Sequence, residues 1–195
     1  MVENGYLTNQ FLIAMPNLLD PSFFHSVTYI CEHNEHGAMG VIINQPLEIT
    51  VGELMEQMGE IAPARLYDKT TIYQGGPVDL ERGFVLHRPL GSWKSTMPIT
   101  DEIGITTSND IISAMAGSQS ESSSTHKMPQ DYLITLGYAG WGPGQLEAEI
   151  LENSWLSCEA NPEVLFNTRP ELRWEAAASL IGINIHQLTG EAGHA

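Results

Sequence analysis

Between residues 137 and 155 the chain reads GYAGWGPGQLEAEILENSW, and this run constrains the fold more than any other. An apolar, β-forming stretch at 132–136 leads into Gly137, Gly140, Gly142 and Gly144, interleaved with Trp141 and Pro143. Leu146 and Ile150 then fall one helical turn apart. Glycines at this density require unusual dihedrals or a close approach of one backbone to another. The sequence therefore predicts a strand ending near residue 136, a tight glycine turn with Trp141 packed beside it, and a helix. A second short strand is expected at 155–158.

The rest of the chain mixes strands and helices. Residues 11–15 form an apolar run stopped by Pro16, and Val27, Tyr29 and Cys31 alternate with Thr28, Ile30 and Glu32 as in a strand. A turn at 34–37 and a returning strand at 38–43 complete a hairpin. Thr50 and Glu53 fit a capping box, with Val51, Leu54, Met55 and Met58 following at helical spacing. Further short strands are expected at 71–74, 83–87 and 103–106, and a short helix at 110–115 capped by Ser108 or Asn109. Pro162 and Pro170 sit where helices begin, since the first helical position does not use the missing N–H. The last helix places Trp174, Ala177, Ala178 and Ile181 on one face and stops near Gly182. No regular βαβ alternation and no internal repeat is present.

With 195 residues, 42% of them hydrophobic, the chain can bury one substantial core, and no linker divides it. One domain over 1–195 is expected. The first residues lack a basic stretch leading into an apolar one, and no apolar run approaches the roughly 20 residues of a bilayer span. Two cysteines, Cys31 and Cys158, are too few for a disulfide framework. These features predict a cytoplasmic protein with reduced thiols and no membrane association. Against 24 acidic residues stand 8 basic ones, a formal net charge of −16. The average field repels a phosphate backbone, and the scattered cations form no basic stripe, so nucleic acid is not an expected partner.

Several blocks resemble, in order, those of the bacterial YqgE/AlgH family. They are Leu12 to Pro16 with Asp20, Pro21, Phe23 and Phe24; Glu32-His33-Asn34 with the run 37–46 (GAMGVIINQP); and Gly75-Gly76-Pro77-Val78 with Gly83-Phe84-Val85-Leu86-His87. The glycine-tryptophan run and the tail Gly193-His194-Ala195 complete the likeness. The resemblance implies an α+β domain: a curled, partly barrel-like mixed β-sheet with helices packed outside. It leaves the activity open, because the family has no assigned reaction and only some members are described as transcriptional regulators. One departure is a longer, serine-rich loop at about 117–129, expected to be flexible and dispensable.

Each chemically suggestive residue has a plainer reading beside it. The glycine run lacks a P-loop lysine and GxGxxG spacing, and Glu147 and Glu149 already occupy the following helix, which argues for structure over phosphate binding. Cys31 is a candidate nucleophile or redox thiol, but its acidic neighbours and its alternation with Val27 and Tyr29 favour a buried thiol. His33 and His36, three apart, are candidate zinc ligands without a CxxC or HExxH frame, and a solvated hairpin tip is the plainer reading. His87, ending an apolar strand, is a candidate base that reads more simply as a satisfied core histidine. No G-x-S-x-G is present and no cofactor is expected.

The backbone-special segments remain. Asn44, the Gly75-Gly76-Pro77 turn, and Gly140, Trp141, Gly142, Gly144 and Gln145 would form a ligand or partner groove if they converge at one end of the sheet. The leading expectation is a regulatory or adaptor protein that binds a protein partner or small ligand there. The alternative is an enzyme, such as a hydrolase or a thiol-based redox protein using Cys31.

Overall fold

The computed structural model describes residues 5–57, 70–115 and 128–188. The serine-rich loop, Met58 and the C-terminal tail therefore lie largely or wholly outside the described residues. Among the described residues, ten strands form one curled sheet: β1 (Gln10–Ala14), β2 (Val27–Asn34), β3 (Gly37–Ile42), β4 (Pro46–Thr50), β5 (Thr71–Gln74), β6 (Val78–Arg88), β7 (Thr96–Pro98), β8 (Gly104–Thr106), β9 (Asp131–Trp141) and β10 (Trp155–Glu159). Their order is β10-β1-β2-β3-β9-β6-β8-β7, with β5 beside β9 and β4 beside β5. All pairs are antiparallel except β5 with β9. Among the described residues the α-helices are α1 (Val51–Gln57), α2 (Asn109–Met115), α3 (Gln145–Leu151) and α4 (Arg173–Ser179).

Strand β9 is the spine. One edge pairs with β6. The other is shared end to end, since residues 134–136 take β5 and residues 139–141 take β3. At the handover, Ile42 N–H donates to Gly75 O at 2.7 Å, and Gly75 N–H donates to Leu136 O at 2.7 Å. Here three backbones meet with no room for side chains. A Cβ on Gly75 would lie 2.3 Å from Gly137 O, and one on Gly76 would lie 2.2 Å from the Tyr138 carbonyl. Gly137 itself is left-handed, at φ 73°. Glycine is required on both sides of this contact, because any Cβ would push apart chains that are hydrogen-bonded to each other.

Alternation along the strands feeds apolar clusters on both faces of the sheet. Phe11 and Ile13 join the inner core with Tyr29, Leu86, Leu133 and Trp174, while Leu12 and Ala14 join an outer cluster with Trp141, Leu146 and Trp155. A third cluster lies under α1 and α2, where Val51 and Ile111 cover Ile134 and Val85. Because both faces are covered, β1 reads as a nearly continuous apolar run rather than a half-polar one.

Most expected elements are present, with three corrections. The strand at 132–136 does not end before the glycines, since β9 runs through Gly137 to Trp141 and only Gly142-Pro143-Gly144 turns. Strands β4 and β7 were not expected, although Leu47 and Ile49 of β4 alternate with exposed Pro46 and Glu48. Ser108 does not cap α2, because its hydroxyl donates to Asp110 Oδ1, which also receives the Ile111 N–H. The capping box is as expected, with Thr50 N–H on Glu53 Oε2 at 2.8 Å and Glu53 N–H on Thr50 Oγ1 at 3.3 Å.

Replacing Gly76 or Gly137 by Ala is expected to cost about 3 kcal/mol or more, the range of a forced backbone rearrangement. Gly142→Ala adds a methyl that meets only Gln145 Oε1, at 3.9 Å, and should change stability by less than about 0.5 kcal/mol. Urea denaturation of the three variants separates close approach from mere glycine content.

Candidate functional site

The glycine-tryptophan run is organised around Glu149. Its Oε2 accepts the indole N–H of Trp141 at 2.9 Å and that of Trp155 at 2.8 Å, and its Oε1 accepts from Gln145 Nε2 at 2.9 Å. Gln145 Oε1 in turn accepts the Gly142 N–H at 3.0 Å. The indoles lie edge to face at 6.1 Å, with Phe23 against both. One carboxylate thus ties the end of β9, the start of β10 and their connecting helix together. Gly144, at φ 74°, makes the left-handed turn that starts α3.

Cys31 lies in the inner core, 2% exposed, and its thiol donates weakly to Tyr29 O at 3.7 Å. Burial, reinforced by nearby Glu32, pushes the thiol far above its ordinary value, the opposite of what a nucleophile needs. His36 is solvated, 84% exposed. The expectation of a solvated tip fails for His33, whose ring is buried. The β2–β3 register shifts between Ile30 and Glu32, and such a bulge re-aims the residues beyond it. His33 Nδ1 accepts the Leu7 N–H at 3.0 Å, so its proton sits on Nε2, which reaches Glu147 Oε1 at 3.0 Å. Both α3 acids therefore pin the helix to the sheet. Among the described residues, no group of three or more His, Cys, Asp or Glu side chains is placed to hold a metal ion.

His87 is fully buried in a directed hydrogen-bond chain. Its Nδ1 donates to Pro89 O at 3.2 Å, which leaves Nε2 to accept from Thr106 Oγ1 at 2.9 Å. Thr106 then accepts from Thr96 Oγ1 at 2.7 Å, and Thr96 accepts the Trp93 N–H at 3.2 Å. Acceptance by Nε2 requires neutral imidazole, and burial lowers the His87 pKa.

The expected groove residues divide. Gly75 and Gly76 are pressed against Gly137–Tyr138, and Pro77 follows them into β6. Trp141 is only 6% exposed and offers no open aromatic wall, while Gly140, Gly142, Gly144 and Gln145 lie at the surface around the α3 turn. These two groups do not converge, because residues 138–141 of β9 extend between them. Asn44 belongs to neither. Its Oδ1 accepts the Val27 N–H at 2.8 Å, and its Nδ2 donates to His25 O at 2.9 Å. With Gln45 it lines an open depression of ≈ 320 Å³ bounded by Phe24, His25, Trp174 and His186.

That depression carries an aromatic ladder. His25 is held at φ 51°, and its ring stacks at 3.9 Å on Phe24 on one side and at 3.9 Å on Trp174 on the other. Trp174 is anchored from below, its indole N–H on Ala14 O at 2.9 Å. Beside it, the buried Arg173 guanidinium donates to Ile43 O and, at 2.9 Å, to Thr168 O. Sequence reasoning missed His25, Trp174, Arg173 and the role of Glu149. Only Glu149 left a readable signal, an acid between two tryptophans on one short helix.

The fold defines a single-domain α+β protein with a curled half-barrel sheet and peripheral helices. The AlgH-like family model matches residues 11–186, and the chain belongs to that family. A UPF0301 protein of Thioalkalivibrio sulfidiphilus is 50% identical over 195 residues, 100% of both chains. Another, from Vibrio vulnificus, is 48% identical over 97% of this chain and 99% of its own. The solution structure of AlgH from Pseudomonas aeruginosa matches 100% of this chain and 99% of its own, with a TM-score of 0.78 and 46% identity. A Corynebacterium diphtheriae crystal structure shares the fold at 17% identity and a TM-score of 0.70, over 97% of this chain and 95% of that one.

Glu149→Ala leaves two buried indole N–H groups unpaired and should cost about 3 kcal/mol, whereas Glu149→Gln retains an acceptor and should cost less than half as much. Denaturant midpoints with the tryptophan emission of each variant test this. His87 gives a pH dependence. Its folded pKa lies below the unfolded 6.5, so the unfolded chain binds more protons and stability falls as pH drops from 7 toward 5. In His87→Gln, the loss relative to that variant's own pH 7 midpoint should be smaller.

Proposed function

We propose that this protein works by binding, as a regulatory or adaptor component whose partner is another protein or a small ligand, and that the Phe24–His25–Trp174 face is where it binds. The observation that carries this reading is the ladder itself. Three rings are stacked at the rim of an open depression, and Phe24 is 55% exposed at its outer end. Beneath the ladder, Asn44, Arg173 and the Ala14 carbonyl fix backbone and rings in place, so an incoming group meets a preorganised surface. Aromatic anchors on rigid supports are the usual centres of binding energy.

The thiol and imidazoles considered for catalysis or metal binding support the same reading. Cys31 is enclosed by core side chains, and both nitrogens of His33 and of His87 are committed to structural hydrogen bonds. A regulatory role would run through protein or ligand contacts rather than DNA, because a net charge of −16 opposes phosphate approach. A cytoplasmic setting belongs to this proposal, in keeping with two unpaired cysteines.

Quantitative affinity capture from the native cell, followed by mass spectrometry, tests the reading. Phe24→Ala should reduce recovery of any specific partner at least tenfold, while Leu151→Ala, at an exposed leucine on α3, should leave it unchanged. Equal loss in both variants, or saturable duplex-DNA binding tighter than about 1 μM at 0.15 M salt, would reject it.

A further inference from the structure

Away from the aromatic ladder, a pocket of ≈ 140 Å³ opens between α1 and α2 over the outer face of the sheet. Its floor is Val85, Ile134 and Leu136, and its walls are Leu54 of α1 and Ile112 of α2. The rim carries Glu81, Ser108 and Asn109. No lysine or arginine is among the described lining residues.

Gly83 makes this space informative. It lies within β6, opposite Leu136 of β9, at a strand position where glycine sacrifices packing and conformational restriction. Gly75, Gly76 and Gly137 are glycine because neighbouring backbone would strike a Cβ. At Gly83 a Cβ would meet nothing within 4 Å, and its φ is not in the left-handed region. The backbone contact that explains the other glycines is absent here. What the missing side chain leaves is room.

We infer that this pocket is a binding site for a small, non-anionic molecule carrying one aromatic ring or a branched aliphatic group. The volume matches that of a cavity able to enclose a benzene-sized body. The apolar floor and walls would surround that body, and the rim hydroxyl, amide and carboxylate supply acceptors for a hydroxyl or ammonium group. A carboxylate or phosphate head would instead face Glu81, with no lysine or arginine among the described lining residues to offset it, in a protein of net charge −16.

Isotope-edited NMR titration with benzyl alcohol, phenethylamine and phenylacetate tests the site, read at the Gly83 amide and the methyls of Leu54, Ile112 and Ile134. Benzyl alcohol and phenethylamine should produce saturable shifts centred on those signals, and phenylacetate should bind at least tenfold more weakly. Gly83→Val should project its methyls into the open space, keep the wild-type melting temperature or raise it, and weaken both binders at least tenfold. Ile112→Phe fills the same space from the helix side and should do the same, which keeps the test decisive if the strand variant misfolds. Non-saturating shifts with all three probes, undiminished binding in the filled variants, or phenylacetate binding as tightly as benzyl alcohol would each overturn the inference. Partner capture through Phe24 is read separately and stands or falls independently.

Discussion

The close contact of Gly75-Gly76 with Gly137-Tyr138 is the constraint on which the rest of the structure depends. It lets β3 hand its edge of β9 to β5 without a break in hydrogen bonding, through the two 2.7 Å bonds at Gly75. The left-handed residue at the handover turns β9, so that its first half faces α1 and α2 while its second half lies in the outer cluster with α3. A single long strand thereby serves two separate outer clusters and the inner core. Without the close approach, β5 could not lie parallel to β9 in this register.

A second organising element is the pair of acids on α3. Glu147 and Glu149 read in sequence as acids of a helix that begins after the glycines, where they complement its dipole. In the fold one holds His33 and the other holds Trp141 and Trp155. A buried indole N–H has only a donor to offer, and two of them converging on one oxygen leave that carboxylate little capacity for anything else. The most conspicuous motif of the chain is thus a scaffold. Its stability comes from satisfying polar groups that the packing of large aromatic rings would otherwise strand.

A third organising element lies where β1 ends and β2 begins. There Asn44 fixes the His25 turn by two hydrogen bonds, and the Arg173 guanidinium caps the Ile43 carbonyl next to it. Burying a guanidinium is unfavourable, and burial lowers the Arg173 pKa, with Tyr73 and Glu171 opposing the shift. The site tolerates this because carbonyl oxygens and the Tyr73 ring, 5.1 Å from the guanidinium carbon, surround the charge. The outcome is a fixed platform under the Phe24–His25–Trp174 stack, which ends outward in the exposed Phe24.

Much of the secondary structure was legible in the sequence because it rests on local rules: the apolar run of β1 stopped by Pro16, the alternation in β2, the Thr50–Glu53 capping box, and the stop near Gly182. The buried Cys31 and His87 were also legible, since their neighbours on the strand are apolar. The curled sheet was legible only through family resemblance, because short strands of this kind pair in many orders. Three things were decided by tertiary structure alone. A bulge at residue 31 carried His33 from an expected solvent tip to Glu147, and no residue type announces such a register shift. The glycines separated into those pressed by another backbone and those facing open space, a difference that depends on what lies across the sheet. His25 and Trp174, distant in sequence, met in one stack because α4 returns onto β1 and β2 after every strand is placed. Local sequence sets which backbone states and buried faces are favourable, but a contact between remote segments exists only once the whole sheet has fixed where each one ends.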